Sequence, residues 1–376
     1  RSGDDLYMLY TGGTTGMPKG VMWRQDDVFA ALSATGPAAR YPEIGTIEDV
    51  KTILTAPGGN AIPAAPLMHG TGCFTSFTTL NTGGCVVTLE GRTYSADELL
   101  DTIEREAVNV IAIVGDAFAK PMLRALNDQP DRWNLSSLIA MVSSGVMWAE
   151  ETKQGLLNHH GGMLLMDAFS SSEALGMGSS ISSAAGAAST AKFTLGENAL
   201  VIREDGTAVE PGSGEVGMVA VKGRTPVGYY KDEAKSAATF KIINGSRYSV
   251  PGDFATVATD GTLELLGRGS VCINTGGEKV FPEEVEEALK TAPNVRDAVA
   301  VGVPDEKFGQ AIVAMVELAP DSQLNEAEVI AHVKGRLAAF KAPKRVLQVP
   351  SIGRAANGKV DYKRLTTEAE SRVTTA

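Results

Sequence analysis

The sequence predicts an α/β fold: a large domain of mixed α/β sheets that carries a β subdomain, followed by a small α+β domain at the C-terminal end. In the first half, short apolar runs alternate with helical patterns, as they do in proteins built around a largely parallel sheet. From about residue 206 to residue 266, short β-like runs are separated by turn dipeptides such as Asp260-Gly261. After Gly267 helix and strand patterns alternate again, and a stretch of roughly 110 residues is long enough to fold as a separate domain.

The elements of the large domain follow from local apolar patterns. Apolar runs with the length of short strands lie at residues 5–10, 86–87, 110–114 and 139–142. Helical patterns lie at residues 27–34 and 96–107. Residues 179–190 are rich in Ser, Ala and Gly, so we expect a loop there. For residues 206–266 we expect strands and turns without helices.

The C-terminal domain has clearer helix boundaries. Pro282 stands where a first helical turn would begin, and Glu283 and Glu284 follow it. Proline and acidic residues both suit a helix N-terminus. Residues 298–303 predict a strand, and Asn325 is placed to cap a further helix, with a glutamate three residues later.

Composition excludes several classes of function. The chain has 376 residues and a formal net charge of −11 without a basic run, which argues against a nucleic-acid partner because phosphate neutralisation supplies most of that affinity. It has neither the apolar run of a transmembrane helix nor a signal-peptide pattern, so we expect a cytoplasmic protein. Cys73, Cys85 and Cys272 are widely spaced, which excludes a zinc knuckle and favours reduced thiols.

The strongest local signal is a loop of glycines, threonines and one lysine that directly follows the first predicted strand. Its candidate phosphate-binding residues are Thr11, Gly12, Gly13, Thr14, Thr15, Gly16 and Lys19. Glycines let backbone N–H groups curl around an anion, and hydroxyls and a lysine add donors. It is not a Walker A loop, because Lys19 is followed by Gly20 rather than by Ser or Thr. By itself the loop fits a phosphate site and a flexible surface turn equally well.

With Pro18 and Gly20, this loop resembles the phosphate-binding loop of the adenylate-forming superfamily, which includes acyl-CoA synthetases, luciferases and peptide-synthetase adenylation domains. Further segments resemble the other motifs of that superfamily in the same order. They are residues 66–70 (PLMHG), 143–145 (SSG), 167–173 (DAFSSSE), 248–253 (YSVPGD), 267–268 (GR), 276–279 (GGEK) and 357–359 (NGK). The resemblance therefore extends over essentially the whole chain.

The resemblance implies roles for particular residues. Those expected to bind ATP or AMP, besides the loop, are Gly145, Asp167, Ala168, Phe169, Ser170, Ser172, Asp253 and Arg268. Phe169, which replaces the usual tyrosine, would stack on adenine, and Asp253 would bind the ribose hydroxyls. Lys359 would be the catalytic lysine of adenylation, and Glu173 would be catalytic by holding Mg²⁺, with Thr14 as a further metal contact.

Other implied roles concern the acid, coenzyme A and domain motion. His69, Gly145 and Gly178 are expected to line the acyl pocket, Gly276 and Gly277 to lie along the pantetheine of CoA, and Ser270 to be the hinge. The domains would be residues 1–267, an AMP-binding large domain, and residues 268–376, a small mobile domain. The resemblance also implies that further sequence precedes the loop, so we expect the large domain to be partial in this chain.

The implied function is that of an AMP-forming acyl-CoA ligase, which joins a carboxylic acid to ATP as acyl-AMP and then forms the CoA thioester. ATP, Mg²⁺ and coenzyme A would be required, and a homodimer is possible. The amino-acid sequences of residues 20–24 and 269–279 resemble those of actinobacterial fatty-acyl and steroid-side-chain CoA ligases. We therefore expect the substrate to be a long-chain or steroid side-chain acid. Two alternatives stay open: an acyl-AMP ligase that delivers to a carrier protein, and a catalytically inactive nucleotide-binding fragment.

Overall fold

The computed structural model describes residues 2–11, 18–35, 57–355 and 358–374. The central part of the phosphate loop, Gly12 to Gly16 with Thr14 and Thr15, therefore lies outside the described residues. Of Ser270 only the backbone is described.

The first described residues form a hairpin whose two strands flank the predicted phosphate loop in the sequence. Strand β1 (Leu6–Thr11) pairs antiparallel with β2 (Lys19–Arg24), and helix α1 (Gln25–Thr35) follows directly. The predicted strand and helix are confirmed, but β2 was not predicted. Thr11 lies opposite Lys19, so the two ends of the loop are held side by side.

The large domain contains a parallel sheet segment covered by helices. Its elements are β3 (Asn60–Pro63), α2 (Gly70–Asn81), β4 (Cys85–Val86), α3 (Ala96–Arg105), β5 (Val110–Ile113), α4 (Asp116–Asp128), β6 (Ala140–Ser143), α5 (Glu150–His159) and β7 (Leu164–Ser171). The strand order is β4-β3-β5-β6-β7, all parallel. The predicted strands and the helix at residues 96–107 are confirmed. Leu99, Leu100 and Ile103 of α3 are fully buried in the core formed with this segment.

Antiparallel strands continue the same sheet after β7. They are β8 (Ala174–Ser182), β9 (Lys192–Leu195), β10 (Ala199–Ile202), β11 (Gly217–Lys222), β13 (Phe240–Ile243), β14 (Ser246–Ser249), β15 (Asp253–Val257) and β16 (Thr262–Arg268). Strand β12 (Gly228–Tyr229) instead joins β2 of the hairpin sheet. The predicted series of β-strands is thus confirmed, although these strands share one sheet with the parallel strands.

Two expectations for this region were wrong. Residues 179–182 form the end of β8 rather than a loop, because all four pair with β7 and Ser179 pairs with β9 as well, and ladder pairing overrides weak strand propensity. The region also contains a helix, α6 (Glu233–Thr239), which begins where the Asp232 side chain accepts a hydrogen bond from the Lys235 backbone N–H at 3.0 Å.

The C-terminal part forms its own sheet and core. After a 3₁₀ turn (Gly269–Val271), its elements are β17 (Ile273–Thr275), β18 (Glu278–Val280), α7 (Pro282–Lys290), β19 (Val295–Asp305), β20 (Gly309–Leu318), α8 (Glu326–Lys334), β21 (Arg345–Gln348) and α9 (Tyr362–Thr374). Pro282 begins α7 and the Asn325 side chain caps α8 at 3.2 Å from the Glu328 N–H, as predicted. The domain boundary at residue 267 stays a prediction. Among the described residues, no helix is long and apolar enough to cross a membrane.

Candidate active site

A cavity of about 880 Å³ is lined by the carboxyl ends of β6 and β7, by antiparallel strands, by α2 and by a turn of the C-terminal part, and it extends to the amino ends of β3, β5 and β6. Parallel α/β sheets place their ligands at the carboxyl edge of the strands. Thirteen of the residues predicted from the sequence line this cavity: Thr11, His69, Gly145, Asp167, Ala168, Phe169, Ser170, Ser172, Glu173, Gly178, Asp253, Arg268 and Lys359. The structure therefore brings together residues that the sequence analysis assigned to three different roles.

Lys359 reaches the cavity because the turn before it packs tightly against the large domain. Gly358 has φ +75°, and a Cβ at this position would lie 3.3 Å from Ala117 and Val114. Arg354 supports the turn by donating to the Gly358 carbonyl at 3.1 Å, and Asp297 in turn binds the Arg354 guanidinium at 2.7 and 2.8 Å. Sequence reasoning missed this Arg354–Asp297 pair, which stabilises the turn through the hydrogen bond to the Gly358 carbonyl.

The electrostatics of Lys359 reflect its neighbours. Burial and the positive charge of Arg268 lower the pKa of the Lys359 amine, while the negative charge of Glu173 opposes that shift. The amine is therefore close enough to both residues to respond to their charges. A cation held next to a carboxylate inside a cavity is suited to offset negative charge on a bound phosphate.

Glu173 is a buried carboxylate, 7% exposed, with a defined orientation. The Tyr229 hydroxyl donates to Glu173 Oε1 at 2.8 Å, and the Ser249 hydroxyl donates to the Glu173 carbonyl at 2.7 Å. Trp23 Nε1 also donates to the neighbouring Ser172 carbonyl at 3.0 Å. Sequence reasoning missed all three donors, since they come from β12, β14 and β2 and no local spacing links them to the motif.

Glu173 has the chemistry expected of a magnesium ligand. Mg²⁺ is usually bound by one or two carboxylates together with substrate phosphates, rather than by a cage of protein side chains. The described residues contain no group of three or more His, Cys, Asp or Glu that could hold a metal by themselves. Glu173, as one of the carboxylates that line the cavity, therefore fits the ion, while Thr14 lies outside the described residues.

Asp253 and Arg268 form a pair on neighbouring strands. Arg268 Nε donates to Asp253 Oδ1 at 3.1 Å, and the Asp253 charge is the main reason that the pKa of Arg268 is raised. The second oxygen, Asp253 Oδ2, is buried and has no hydrogen-bond partner within the part of the chain that the structure describes. A buried acceptor without a donor is costly, so this oxygen is suited to receive a ligand hydroxyl.

Phe169 lies on β7 with its ring packed against Phe193, at a centroid distance of 5.3 Å. Gly178 is paired with Phe169 across β7 and β8, and a Cβ at Gly178 would lie 3.0 Å from Phe193. The aromatic pair thus forms a wall of the cavity on which a planar base can stack. Ser170, one residue before the end of β7, accepts a hydrogen bond from the Gly176 N–H at 3.1 Å.

His69 is the N-cap residue of α2. Its Nδ1 accepts a hydrogen bond from the Thr71 N–H at 3.3 Å, which places the ring proton on Nε2 in the neutral form. Burial, and then the Lys359 charge, lower the pKa of His69 to about 4. His69 is therefore neutral at physiological pH, and Gly145 (φ +97°) lets its ring approach, since a Cβ there would be 3.3 Å from the imidazole.

Among the described residues that were predicted to bind nucleotide or CoA, three do not line the cavity. Lys19 lies on β2, with its Nζ 5.4 Å from the ring centroid of Tyr229. Gly276 and Gly277 form the turn between β17 and β18 with φ +61° and +89°, and a Cβ on Gly277 would meet no described atom within 4 Å. This turn belongs to the same C-terminal part as Lys359 but lies away from the cavity.

The fold and the site define an AMP-binding enzyme. The chain belongs to the AMP-binding enzyme family, whose model matches residues 1–230, and the model of the AMP-binding enzyme C-terminal domain matches residues 284–359.

Similar proteins of known name are CoA ligases. The 3-oxocholest-4-en-26-oate–CoA ligase of Rhodococcus rhodochrous is 43% identical over 374 residues, which are 96% of this chain and 66% of that protein. A medium/long-chain-fatty-acid–CoA/3-oxocholest-4-en-26-oate–CoA ligase of Mycobacterium marinum is 41% identical over 99% of this chain and 68% of its own length. The chain thus spans about two thirds of these relatives.

A solved structure has the same architecture. An ATP-bound RpMatB–BxBclM chimera matches 99% of this chain and 70% of its own, with a TM-score of 0.79 and 25% identity. The expected family and the mixed α/β fold are therefore confirmed.

Proposed function

We propose that this chain is the ATP-binding and catalytic part of an AMP-forming acyl-CoA ligase. The observation that carries the proposal is the convergence of Lys359, Glu173 and Asp253 in one cavity, although they come from distant parts of the sequence. A cation, a magnesium-binding carboxylate and an acceptor for hydroxyls are the groups that adenylation of an acid requires.

In the proposed first half-reaction, the carboxylate of the acid attacks the α-phosphorus of ATP, a new acyl–phosphate bond forms, and the bond to the leaving pyrophosphate breaks. The Lys359 ammonium offsets the negative charge that builds on the α-phosphate oxygens. Removing one such well-aimed group typically costs about 10²–10³ in rate. Neutral His69 lines the cavity without adding charge next to the attacking carboxylate.

The remaining residues bind and orient the nucleotide. Phe169 would stack on the base, and Asp253 Oδ2 would accept from a ribose hydroxyl. Glu173, oriented by Tyr229, would hold Mg²⁺, which when bound neutralises charge on the leaving phosphates. Thr11 and Lys19, at the two ends of the glycine-threonine loop, would place it over the β and γ phosphates.

The second half-reaction would require a domain movement. Gly276 and Gly277 belong to the same C-terminal part as Lys359, but only Lys359 lines the cavity. We propose that residues 268–376 rotate as a rigid body relative to residues 1–267, about a hinge near Ser270. The rotation would move Lys359 out of the cavity and bring the turn of Gly276 and Gly277 to it. The acyl group would then pass to the CoA thiol as AMP leaves.

For the substrate, we propose a long-chain fatty acid or a steroid side-chain acid. The named relatives act on acids of these classes. The cavity lining includes the apolar side chains of Phe74, Val110, Ala140 and Val142, together with threonines of α2. Apolar side chains of this kind can contact the hydrocarbon body of such an acid. A cytoplasmic location and a homodimer are further proposals.

The test is acid-dependent exchange of pyrophosphate into ATP across a panel of carboxylic acids, with this chain and with a full-length form. We expect exchange with long-chain or steroid acids, and CoA thioester when CoA is added. Exchange without a thioester would favour delivery to a carrier protein. Nucleotide binding without exchange in the full-length form would favour the inactive alternative.

A further inference from the structure

The segment that carries Lys359 is a long connection inside the C-terminal part. It comprises residues 349–361, from the end of β21 to the start of α9, and its described residues form neither helix nor strand. We call this segment the lysine arm. A connection without secondary structure is ordinarily mobile, so a lysine on it could occupy many positions. The side-chain contacts near the two ends of the arm therefore decide how well the amine is placed.

The first anchor of the arm is Arg354. Its Nε and Nη2 donate to the two carboxylate oxygens of Asp297 on β19, at 2.7 and 2.8 Å, and its Nη1 donates to the Gly358 carbonyl at 3.1 Å. The two charged side chains are mostly buried, with 16% and 22% exposed. The planar fork of a guanidinium can make these three bonds at once, whereas an ammonium cannot. One side chain thus connects the sheet of the C-terminal part to the residue before Lys359.

Backbone contacts fix the arm on both sides of the lysine. The Gly358 N–H donates to the Ala355 carbonyl at 2.8 Å, and the Ala355 N–H donates to the Lys359 carbonyl at 2.9 Å. Val360, the next residue, is 8% exposed and belongs to the apolar core that β19 and α9 share. The main chain at Lys359 is therefore held before and after the side chain that it presents to the cavity.

The second anchor is Tyr362, the first residue of α9. Its hydroxyl donates to Glu286 Oε1 at 2.9 Å, and the same oxygen accepts from the Ala300 N–H of β19 at 3.1 Å. Glu286 belongs to α7 and is 5% exposed. Burial, and then the Glu286 charge, raise the pKa of Tyr362, so the hydroxyl keeps its proton and stays a donor. This contact joins the end of the arm to both α7 and β19.

We propose that the lysine arm is formed within the C-terminal part, before that part docks on the large domain, and that Arg354 and Tyr362 are the residues that position it. The inference rests on the proposed function, because it takes Lys359 to act in adenylation. The partners Asp297 and Glu286 belong to the same C-terminal part, so a rigid-body rotation would carry the arm unchanged. An arm that is already ordered loses little further freedom when the amine enters the cavity.

The first test separates the two half-reactions by rapid quench. Tyr362→Phe removes only the hydroxyl, and it should slow acyl-AMP formation by about tenfold while the KM for ATP and thioester formation from preformed acyl-AMP stay unchanged. Arg354→Lys keeps a positive charge beside Asp297 but cannot make all three bonds, so we expect the same pattern. A merely structural role would instead lower both half-reactions together, through loss of folded protein.

Two variants elsewhere in the C-terminal part are matched controls. Arg345→Lys changes another arginine–carboxylate pair, in which Arg345 Nε donates to Glu326 Oε1 at 3.1 Å. Thr291→Val removes a hydroxyl that donates to the Ala288 carbonyl at 2.8 Å, at the end of α7. Both controls should keep the natural ratio of the two half-reactions. Equal losses of both half-reactions in the two test variants, or a selective loss of adenylation in the controls, would overturn the inference.

The second test needs no catalysis and measures amide hydrogen exchange by nuclear magnetic resonance. In the natural protein without nucleotide, the amides of Ala355 and Gly358 should exchange about tenfold more slowly than in Tyr362→Phe or Arg354→Lys, because both donate the bonds that close the arm. Equal exchange in all three proteins, or protection that develops only when nucleotide is added, would contradict a preformed arm. Slow exchange in a natural protein that forms no acyl-AMP would support the arm and refute the proposed function.

Discussion

At the scale of single residues, the cavity depends on charges that are held away from water and therefore influence one another. Burial lowers the pKa of Lys359 and of His69, in the latter case to about 4, and Lys359 contributes to the shift of His69. A change at one of these residues alters the charge balance of the others. Tests of the site should therefore separate a lost contact from a lost charge.

We expect Lys359→Ala to slow acyl-AMP formation by about 10²–10³-fold and to leave thioester formation from preformed acyl-AMP nearly unchanged. The reason is that the amine would lie beside the reacting phosphate only when Lys359 lines the cavity, as it does in this arrangement. Both half-reactions are measured separately by rapid quench. Lys363→Ala, an exposed lysine of α9, is the control. Equal losses in the two half-reactions, in a folded variant, would remove Lys359 from this role.

Tyr229→Phe tests how Glu173 is oriented. The change removes the hydrogen bond of 2.8 Å to Glu173 Oε1 but keeps the buried ring. Loss of a partner of a metal-binding carboxylate typically costs about 10–100-fold in metal affinity or activity. We therefore expect a higher Mg²⁺ requirement in a titration of adenylation rate. Tyr230→Phe, at the exposed neighbouring tyrosine, should behave like the natural protein, and an unchanged Mg²⁺ titration in Tyr229→Phe would contradict this role for its hydroxyl.

Sequence motifs predicted the residues that line the cavity but not those that support them. Glu173 and Asp253 belong to motifs of recognisable spacing. Tyr229 is 56 residues from Glu173, and only the pairing of β12 with β2 brings the two together. The role of Ser249 could not be predicted either. It stands where the motif usually has arginine, and its hydroxyl donates to the backbone carbonyl of Glu173. Such contacts depend on the tertiary fold, so single-sequence patterns cannot specify them.

At the scale of elements, the turn at Gly358 decides where Lys359 lies. Its positive φ and its close approach to Val114 and Ala117 place the turn between β21 and α9 against the start of α4. Glycine is needed here for two separate reasons, since a side chain would be strained by the backbone conformation and would also meet neighbouring atoms.

We expect Gly358→Ala to slow adenylation by about tenfold or more while the thioester step is spared, because the added methyl displaces the turn from α4. The control is Gly245→Ala in the turn between β13 and β14. Gly245 has the same φ of +75°, and a Cβ there would meet nothing within 4 Å among the described atoms. Gly245→Ala should therefore lower the stability of the protein about as much as Gly358→Ala does, but it should leave the rate of adenylation unchanged. Equal rates in the two variants would argue against docking of this turn.

The elements that the sequence predicted well are those with strong local signals. Pro282 at the start of α7 and Asn325 at the start of α8 are examples, because their capping chemistry is local. Strand β8 was missed because its serines and glycines have little strand preference, and its formation depends on pairing with β7 and, at Gly178 and Ser179, with β9. Strand β2 was missed because Lys19 and Gly20 suited the loop motif.

At the scale of the whole molecule, the parallel α/β pattern and the all-β pattern, which are separate in the sequence, belong to one sheet in the structure. Within the described ranges, the parallel strands and the antiparallel strands form one thirteen-stranded sheet, in which the strand direction changes between β7 and β8. The order of strands in that sheet could not be predicted, since no local pattern specifies a hydrogen-bonded neighbour. The change of direction follows Asp167 and Phe169, so it also helps to form the wall of the cavity.

The C-terminal part also contacts the large domain through Glu283 of α7. Glu283 Oε1 accepts from the Arg268 N–H at 3.3 Å, while Oε2 is buried without a hydrogen-bond partner in the described ranges. A Cβ on Gly267 (φ +136°) would collide with this carboxyl group at 2.2 Å. Burial, and then the Glu286 charge, raise the pKa of Glu283 to about 8. A neutral carboxyl is therefore packed at the junction of the two parts.

Glu283→Gln should make stability less dependent on pH. A carboxyl whose pKa is raised from 4.5 in the unfolded chain to about 8 contributes stability that is fully present below pH 4.5 and is lost as the pH rises through 8. Glutamine mimics the neutral form, so the variant should unfold several degrees above the natural protein at pH 8.5 and at about the same temperature at pH 5. Thermal unfolding by circular dichroism measures this, with the exposed Glu278→Gln as control. A variant that follows the natural pH dependence would mean that the Glu283 carboxylate is already ionised at the junction.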